Sequence, residues 1–414
     1  MTKIAVIGLG YIGLPTATVL ALRGMDVLGV DVSQKVVDTL KQGKIHIVEP
    51  GLDVSVAAAI KSGGLQVSTA ASPADVFIIA VPTPFRDEHK PDLTYVEAAT
   101  RSIAGHLTKD NLVILESTSP VGTTQKVSEW IAQERADLKL PHDHGSAADV
   151  NVAHCPERVL PGRIMTELVE NDRIIGGISE ACTDKTIALY KQFVRGKCLP
   201  TNAATAEMAK LTENAFRDVN IAFANELSML AEGQGVNVWE LIRLANHHPR
   251  VNILNPGPGV GGHCIAVDPW FLVDADPENA NLIRQARLVN DSKPQFIINK
   301  VKEAIQDIEN PHIACLGLAF KANVDDLRES PALDICLQLA GIASMGISAV
   351  EPHIRVLPDC LTPYGDVALT DTNTAIRKAD LVLLLVDHQQ FADIPTEYDL
   401  HDKVVIDTRG RWEG

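Results

Sequence analysis

The segment KIAVIGLGYIG, Lys3 to Gly13, decides how the first part of the chain folds. A short apolar, β-rich run leads into the spacing G-x-G-x-x-G, formed by Gly8, Gly10 and Gly13. Apolar residues then recur at helical spacing from Tyr11 to Arg23. This order of strand, glycine turn and helix predicts the first unit of a dinucleotide-binding sheet.

The next predicted strand, DVLGV, ends at Asp31, whose carboxylate can accept a hydrogen bond from a ribose hydroxyl. No arginine follows to hold a 2′-phosphate, so the pattern favours NAD over NADP. A glycine turn that serves only tight packing is the alternative, and the acidic residue at the expected distance argues against it. The predicted cofactor-binding residues here are Gly8, Gly10, Tyr11, Ile12, Gly13 and Asp31.

Further predicted strands alternate with helical stretches, which indicates a parallel, doubly wound sheet. From Thr205 the pattern changes to long helices, the first without a breaker until Gly233, and predicted strands are absent for about a hundred residues. Strands then return, and the predicted strands of both parts are Val76–Val81, Leu112–Glu116, Val150–His154, His312–Phe320, Ser348–Pro352, Leu381–Val386 and Lys403–Asp407. We expect an α/β protein with two Rossmann-like doubly wound domains (1–200 and 309–414) joined by a long-helix middle domain (201–308).

Composition argues against several classes of function. The 414 residues include 37 basic and 53 acidic side chains, and the formal charge of −16 makes a nucleic-acid partner a poor hypothesis. The seven cysteines form no CxxC pair and no zinc-ligand spacing, so we expect reduced thiols and no metal. There is no signal-peptide pattern and no apolar run of the roughly 20 residues that a membrane helix needs. We therefore expect a cytoplasmic protein.

The stretch GPGVGGHCIAVDP, residues 257–269, surrounds Cys264 with glycine and proline. Gly261 is one of two glycines that give backbone access beside the thiol, and His263 and Asp268 are close enough in sequence to handle protons. The alternative is a buried cysteine that acts as a small hydrophobe. The pattern favours a nucleophilic cysteine.

Charged and amide residues elsewhere fit the same chemistry. Lys210 and Asn214 are four residues apart on the predicted long helix and can together stabilise an oxyanion, although a solvated pair is the alternative. Ordinary surface charge is one interpretation of Arg250 and Lys321, but both flank glycine or strand-end positions, where open α/β sheets bind ligands. For Arg328, pairing with neighbouring acidic residues is an equally good interpretation.

Several ordered motifs along nearly the whole chain resemble the family of UDP-glucose and GDP-mannose dehydrogenases, which oxidise a nucleotide sugar twice at C6. They are GLGYIG, VPTP (81–84), ESTSPVGTT (116–124), PERVLPG (156–162), the Lys210/Asn214 helix, GVGGHCIAVDP and GLAFKANVDDLRESPA. The resemblance implies two Rossmann-like domains bridged by helices that form a homodimer, with NAD as cofactor.

The resemblance also implies roles for individual residues. Cys264 would be the nucleophile, Lys210 and Asn214 would stabilise the oxyanion, and Asp268 would order the water or thiol chemistry. Glu157 and Thr118 would serve proton transfer and water positioning. Thr83, Thr118 and Arg328 would lie on the cofactor side, and the substrate would be bound by Glu157, Arg158, Lys210, Asn214, Arg217, Arg250 of the neighbouring subunit, Asn252, Gly261 and Lys321.

Two positions bear on the substrate. Where UDP-glucose dehydrogenases carry a second glutamate, this chain has Pro161, and His263 recurs in family members that oxidise 2-acetamido sugars. The resemblance is strongest to the members acting on UDP-N-acetylmannosamine. Oxidation of UDP-N-acetylglucosamine or UDP-glucose, a two-electron β-hydroxyacid dehydrogenase and a non-catalytic nucleotide-binding regulator stay open as alternatives.

Overall fold

A computed structural model of the chain describes residues 2–86, 89–160, 162–262, 264–342 and 344–412. The chain divides into two compact units, Met1–Glu213 and Asn214–Gly414. Each unit contains its own sheet. Within the described ranges, no helix has the length and apolar character needed to span a membrane.

The first unit is built on an eight-stranded sheet. Its strands are β1 (Lys3–Ile7), β2 (Asp26–Val30), β3 (Leu65–Ser68), β4 (Val76–Ile79), β5 (Leu112–Leu115), β6 (Asn151–His154), β7 (Arg173–Gly177) and β8 (Cys198–Asn202). Their order is β3-β2-β1-β4-β5-β6-β7-β8, and all neighbours are parallel except β6 and β7. Every residue of β4 and β5 is buried, as expected for strands covered by helices on both faces.

The helices that cover this sheet follow its strands in the chain. They are α1 (Gly13–Leu22), α2 (Gln34–Lys41), α3 (Leu52–Lys61), α4 (Thr94–Ala104), α5 (Thr123–Glu134), α6 (Pro141–His144), α7 (Ile164–Glu170) and α8 (Glu180–Tyr190). The long helix α9, Ala203–Gly233, comes next and has 31 residues.

The second unit combines further helices with a five-stranded parallel sheet. Its helices are α10 (Val238–Ala245), α11 (Asp268–Ala275), α12 (Asn281–Ala304), α13 (Pro331–Ala340), α14 (Thr372–Lys378) and α15 (Ile394–Glu397). Its strands are β9 (His312–Leu316), β10 (Gly346–Val350), β11 (Val367–Leu369), β12 (Leu381–Leu384) and β13 (Val404–Asp407), in the order β11-β10-β9-β12-β13. The first strand of each sheet thus lies between its second and fourth strands, which is the doubly wound arrangement.

The predicted fold class is confirmed, and the seven later strands predicted by name are all present. The prediction missed β3, β7, β8 and β11. Three of these are edge strands, and β8, CLPTN, is partly exposed throughout and has no apolar run that would reveal it. The domain boundaries at 200 and 308 stay a prediction.

Candidate active site

The three glycines of the first turn have different structural roles. A Cβ on Gly8, where φ is +93°, would lie 2.5 Å from the carbonyl oxygen of Ala80, and a Cβ on Gly13 would lie 1.8 Å from that of Gly8. A Cβ on Gly10 would meet nothing within 4 Å. The outer glycines therefore permit close packing of the turn, while the middle glycine leaves the backbone open to a ligand.

The surroundings of this turn fit a dinucleotide. Helix α1 begins without a side-chain cap at Ile12. Leu14 N–H donates to Gly10 O and Pro15 has no N–H, so the N–H of Gly13 at the helix start can bind a phosphate. Asp31 follows β2, is half-buried, and accepts hydrogen bonds from the N–H of Leu9 at 3.1 Å and of Ser33 at 2.9 Å. The next residue, Val32, is 96% exposed and carries no charge for a 2′-phosphate.

Glu157 follows β6 and is 6% exposed. One carboxylate oxygen pairs with Arg173 Nη1 at 2.8 Å, and the other accepts from the N–H of Arg158 at 2.6 Å. Arg173 is itself 1% exposed. A buried, paired carboxylate of this kind is held in one orientation, as a proton-transferring group requires.

A second carboxylate, Glu116, lies at the end of β5 and is fully buried. Burial and the negative charge of Glu157 raise its pKa to about 7, against the opposing effect of a hydrogen bond from Tyr190. Thr118 follows two residues later, half-buried, and its carbonyl oxygen accepts from the hydroxyl of Thr83. These contacts join the predicted Thr83 and Thr118 at the carboxyl ends of β4 and β5.

In the second unit, the structure brings together three of the predicted catalytic residues. Cys264 is exposed in the turn before α11, and its carbonyl oxygen accepts from the N–H of Asp268 at 2.9 Å. The Asp268 carboxylate is buried and accepts from Asn214 Nδ2 at 2.5 Å. An exposed cysteine therefore lies one turn before the aspartate of a buried amide–carboxylate pair, an arrangement suited to covalent chemistry with positioned polar groups.

The glycines before Cys264 pack tightly against another loop. A Cβ on Gly261 would lie 2.3 Å from the carbonyl oxygen of Glu329 and 2.6 Å from Pro331 Cδ. Gly262 has a φ of +81°, and a Cβ there would lie 3.0 Å from the ring of Phe320. Backbone access for a ligand stays a prediction for these glycines, and the contacts add that they allow two loops to meet.

The remaining predicted substrate residues vary in exposure. Lys210 is half-buried on α9, while Arg217, Arg250 and Asn252 are exposed. Arg158 forms an ion pair with Glu213 at 2.7 Å.

Near β9, Lys321 is half-buried, with Nζ 5.9 Å from the ring centroid of Phe320. Arg328 forms an ion pair with Asp326 at 2.6 Å, one of the acidic neighbours considered from the sequence. Pro161 and His263 lie outside the described residues.

Comparison with protein-family models gives three matches in chain order. Residues 2–194 match the NAD binding domain of the UDP-glucose/GDP-mannose dehydrogenase family, residues 204–292 its central domain, and residues 314–414 its UDP binding domain. The chain belongs to the UDP-glucose/GDP-mannose dehydrogenase family.

Individual members of this family are similar over almost the whole chain. An NDP-N-acetyl-D-galactosaminuronic acid dehydrogenase from Ralstonia nicotianae is 60% identical over 99% of this chain and 96% of its own. A UDP-N-acetyl-D-mannosamine dehydrogenase from Campylobacter jejuni is 57% identical over 97% and 98%, respectively. The solved UDP-D-ManNAc dehydrogenase from Pyrococcus horikoshii is 40% identical, with a TM-score of 0.89 over 99% of this chain and 96% of that one.

Family membership confirms the predicted resemblance, the three-domain fold, the NAD cofactor and the assignment as an NAD-dependent nucleotide-sugar dehydrogenase. The glycine turn and Asp31 accordingly belong to an NAD-binding domain, and Lys321 belongs to a UDP-binding domain. The roles predicted for individual residues stay predictions.

Sequence reasoning missed Arg173, which holds Glu157. Arg173 lies sixteen residues after Glu157 at the start of β7, a strand that was itself not predicted. Its signal was an arginine opening the apolar run RIIGG, because a cation in a buried strand requires an anionic partner.

Proposed function

We propose that this protein catalyses the NAD-dependent four-electron oxidation of UDP-N-acetyl-D-mannosamine at C6 to UDP-N-acetyl-D-mannosaminuronate. The observation that carries the proposal is the exposed Cys264 beside the buried Asn214–Asp268 pair, in a chain of this family. The high identity to UDP-N-acetyl-D-mannosamine dehydrogenases supports the substrate.

The chemistry explains why a thiol is needed. Two NAD molecules, bound one after the other, would each supply the hydride acceptor for one of the two oxidation stages. The first stage converts the C6 alcohol to an aldehyde, and Cys264 adds to it to give a thiohemiacetal, which keeps the aldehyde from escaping. The second stage gives a thioester, and water cleaves its C–S bond to release the carboxylate and return the thiol.

The chain's own residues have separate tasks in this scheme. Lys210 and Asn214 stabilise negative charge on the C6 oxygen, and Asp268 orients Asn214 and the hydrolytic water. Glu157, held by Arg173, transfers protons, and Thr118 positions water. The diphosphate and sugar contact Arg158, Arg217, Arg250, Asn252, Gly261 and Lys321, while Thr83 and Arg328 serve the cofactor.

A second candidate substrate is the corresponding nucleotide-linked N-acetylgalactosamine. The 60% identity to relatives named NDP-N-acetyl-D-galactosaminuronic acid dehydrogenase favours it. Both sugars carry the same acetamido group and the same C6 alcohol, so the chemistry above applies equally to either. The two sugars differ in the direction of ring substituents, and contacts in the sugar pocket must distinguish them.

The test is NADH formation with matched UDP-N-acetylmannosamine, UDP-N-acetylgalactosamine, UDP-N-acetylglucosamine and UDP-glucose. We expect the highest kcat/KM for UDP-N-acetylmannosamine, two NADH per uronate, and much weaker activity with NADP. A higher kcat/KM for any of the other three sugars would replace the substrate proposed here. One NADH per sugar, with free aldehyde as product, would contradict the thioester route.

A homodimer is part of the proposal. Phe216, Phe223 and Leu230 recur every seven residues on α9 and are 67%, 58% and 55% exposed. Three large apolar side chains along one face of a long helix are typical of a surface that packs against another chain. The seven cysteines, none of which forms a disulfide, support the expectation of a cytoplasmic enzyme.

A further inference from the structure

The loop that carries Lys321 is held by a buried carboxylate. This Lys321 loop, residues 317–323, follows β9, and Glu351 follows the neighbouring strand β10. Glu351 Oε2 accepts from the N–H of Leu318 at 2.8 Å and of Ala319 at 3.0 Å. Glu351 is 4% exposed, so these bonds form where water competes little.

A fully buried histidine completes the arrangement. His388 follows β12, and its Nδ1 accepts from the N–H of Asn323 at 2.9 Å. A backbone N–H can only donate, so the ring proton lies on Nε2, which donates to Glu351 Oε2 at 3.0 Å. The side chain of Asn323 in turn accepts from the N–H of Gln389 at 3.0 Å. The pair thus fixes backbone groups on both sides of Lys321.

The first unit has the same turn, and the histidine near it, His46, is exposed and interacts with Asp31 and with the backbone of Leu9. There, Leu9 N–H donates to Asp31 and Gly8 N–H donates to Val30 O at 2.8 Å. In the second unit, Leu318 N–H donates to Glu351, and Gly317 N–H donates to Val350 O, also at 2.8 Å. Glu351 is therefore the counterpart of Asp31, the acidic residue that faces a ribose in nucleotide-binding sheets.

We propose that the Glu351–His388 pair positions the Lys321 loop for the UDP-sugar. In the second unit the ring of His388 donates to the carboxylate that a ribose hydroxyl would otherwise reach. The pair thereby closes the ordinary nucleotide crevice and converts this turn into a rigid support for Lys321. This inference rests on the proposed function, in which Lys321 contacts the substrate.

A metal site is the competing interpretation, since Glu351, His353 and His388 place one possible ligand atom each within 4.8 Å of one another. However, Glu351 Oε2 already accepts three hydrogen bonds and both ring nitrogens of His388 are engaged. A metal bound to His388 would have to displace one of these contacts. The hydrogen bonds therefore favour a clamp on the loop.

The test compares His388→Leu, which loses both ring contacts, with His388→Asn, whose side-chain oxygen can still accept from Asn323. The matched control is His312→Leu, because His312 shares a hydrogen bond with Ser348 at 2.8 Å at the opposite end of the same sheet. Dissociation constants for UDP and for NAD, KM and kcat for the UDP-sugar, and the unfolding temperature are measured for each variant.

We expect His388→Leu to raise the UDP dissociation constant and the sugar KM about tenfold, the effect of losing one hydrogen bond to a charged group. kcat should change less, NAD binding should stay as in the wild type, and His388→Asn should recover part of the UDP affinity. His312→Leu should lower the unfolding temperature without weakening the binding of UDP. If folded His388→Leu binds UDP with wild-type affinity, the inference is overturned. It is also overturned if His312→Leu weakens UDP binding as much as His388→Leu does.

If His388→Leu does not fold, His388→Gln takes its place, since it keeps a donor for Glu351 but loses the acceptor for Asn323. Weakened UDP binding in this variant supports the inference, and unchanged binding overturns it. Wild-type protein that binds UDP but oxidises no UDP-sugar would count against the proposed function alone, because the UDP affinities of the variants still report on the loop.

Discussion

At the scale of single residues, exposure alone does not make a cysteine reactive. Cys264 and Cys360 are both exposed in the second unit. The backbone of Cys264 accepts a hydrogen bond from Asp268, whose carboxylate holds Asn214, so a fixed carboxylate and amide follow this cysteine by one turn. Cys360 therefore provides a control of the same residue type.

We predict that Cys264→Ala lowers uronate formation by at least about a thousandfold, because no thioester can form. Folding and NAD binding should persist, since the change removes one exposed atom. Cys360→Ala should keep wild-type activity. Uronate formation is followed by chromatography and NADH by absorbance, and near-normal rates in Cys264→Ala would disprove the covalent route.

A second prediction at the residue scale concerns Glu116 and the dependence of folding stability on pH. Its folded pKa of about 7 lies above the value of 4.5 for a free glutamate. The neutral form of Glu116 therefore stabilises the folded state. Its contribution to the free energy of unfolding is present below about pH 4.5 and is lost as the pH rises through 7.

Relative to Glu116→Gln, the wild type should lose about 2 to 3 kcal/mol of unfolding free energy between about pH 5 and pH 8. Urea denaturation at both pH values measures this difference. The exposed Glu180→Gln is the control, and a difference for Glu116→Gln that does not change with pH would contradict the raised pKa.

At the scale of elements, the sequence revealed what periodicity encodes. Buried central strands such as β4 and β5 and the long helix α9 were predictable because their apolar patterns are long or regular. The edge strand β8 was missed, and so was the contact of Glu157 with Arg173, because pairing between distant segments leaves no local pattern. The glycines near Cys264 were recognised as important, but the loop they meet was not.

The close approach of Gly261 to the backbone of Glu329 predicts the effect of Gly261→Ala. The new Cβ would lie 2.3 Å from Glu329 O, so the cysteine loop or its partner must shift, at a cost of about 1–3 kcal/mol. kcat should fall as well, because Cys264 lies three residues away. Gly365→Ala, where a Cβ meets nothing within 4 Å, is the control in thermal unfolding and turnover assays. Equal behaviour of the two variants would contradict the packing role.

At the scale of the whole molecule, alternation of strands and helices sufficed to predict two doubly wound sheets and a helical segment between them. The cofactor also followed, because a glycine turn and an acidic strand end are local features. The configuration of the sugar could not be predicted from the sequence, since relatives named for two different acetamido sugars are 60% and 57% identical to this chain. Such discrimination depends on a few pocket contacts rather than on the fold.

The proposed homodimer leads to a prediction about how its active sites are composed. If Arg250 reaches the substrate of the neighbouring subunit, each site needs Cys264 from one chain and Arg250 from the other. A purified heterodimer of Arg250→Ala and Cys264→Ala chains, each inactive alone, then has one complete site of two and about half of the wild-type activity.

The control heterodimer pairs a wild-type chain with one that carries both substitutions. With shared sites, the intact Cys264 faces a chain lacking Arg250 and the intact Arg250 faces a chain lacking Cys264, so this heterodimer should be nearly inactive. With sites confined to one chain the order reverses, because the wild-type chain alone retains about half of the activity. Two differently tagged chains, co-expressed and purified through both tags, give the heterodimers, and NADH formation by each decides between the two arrangements.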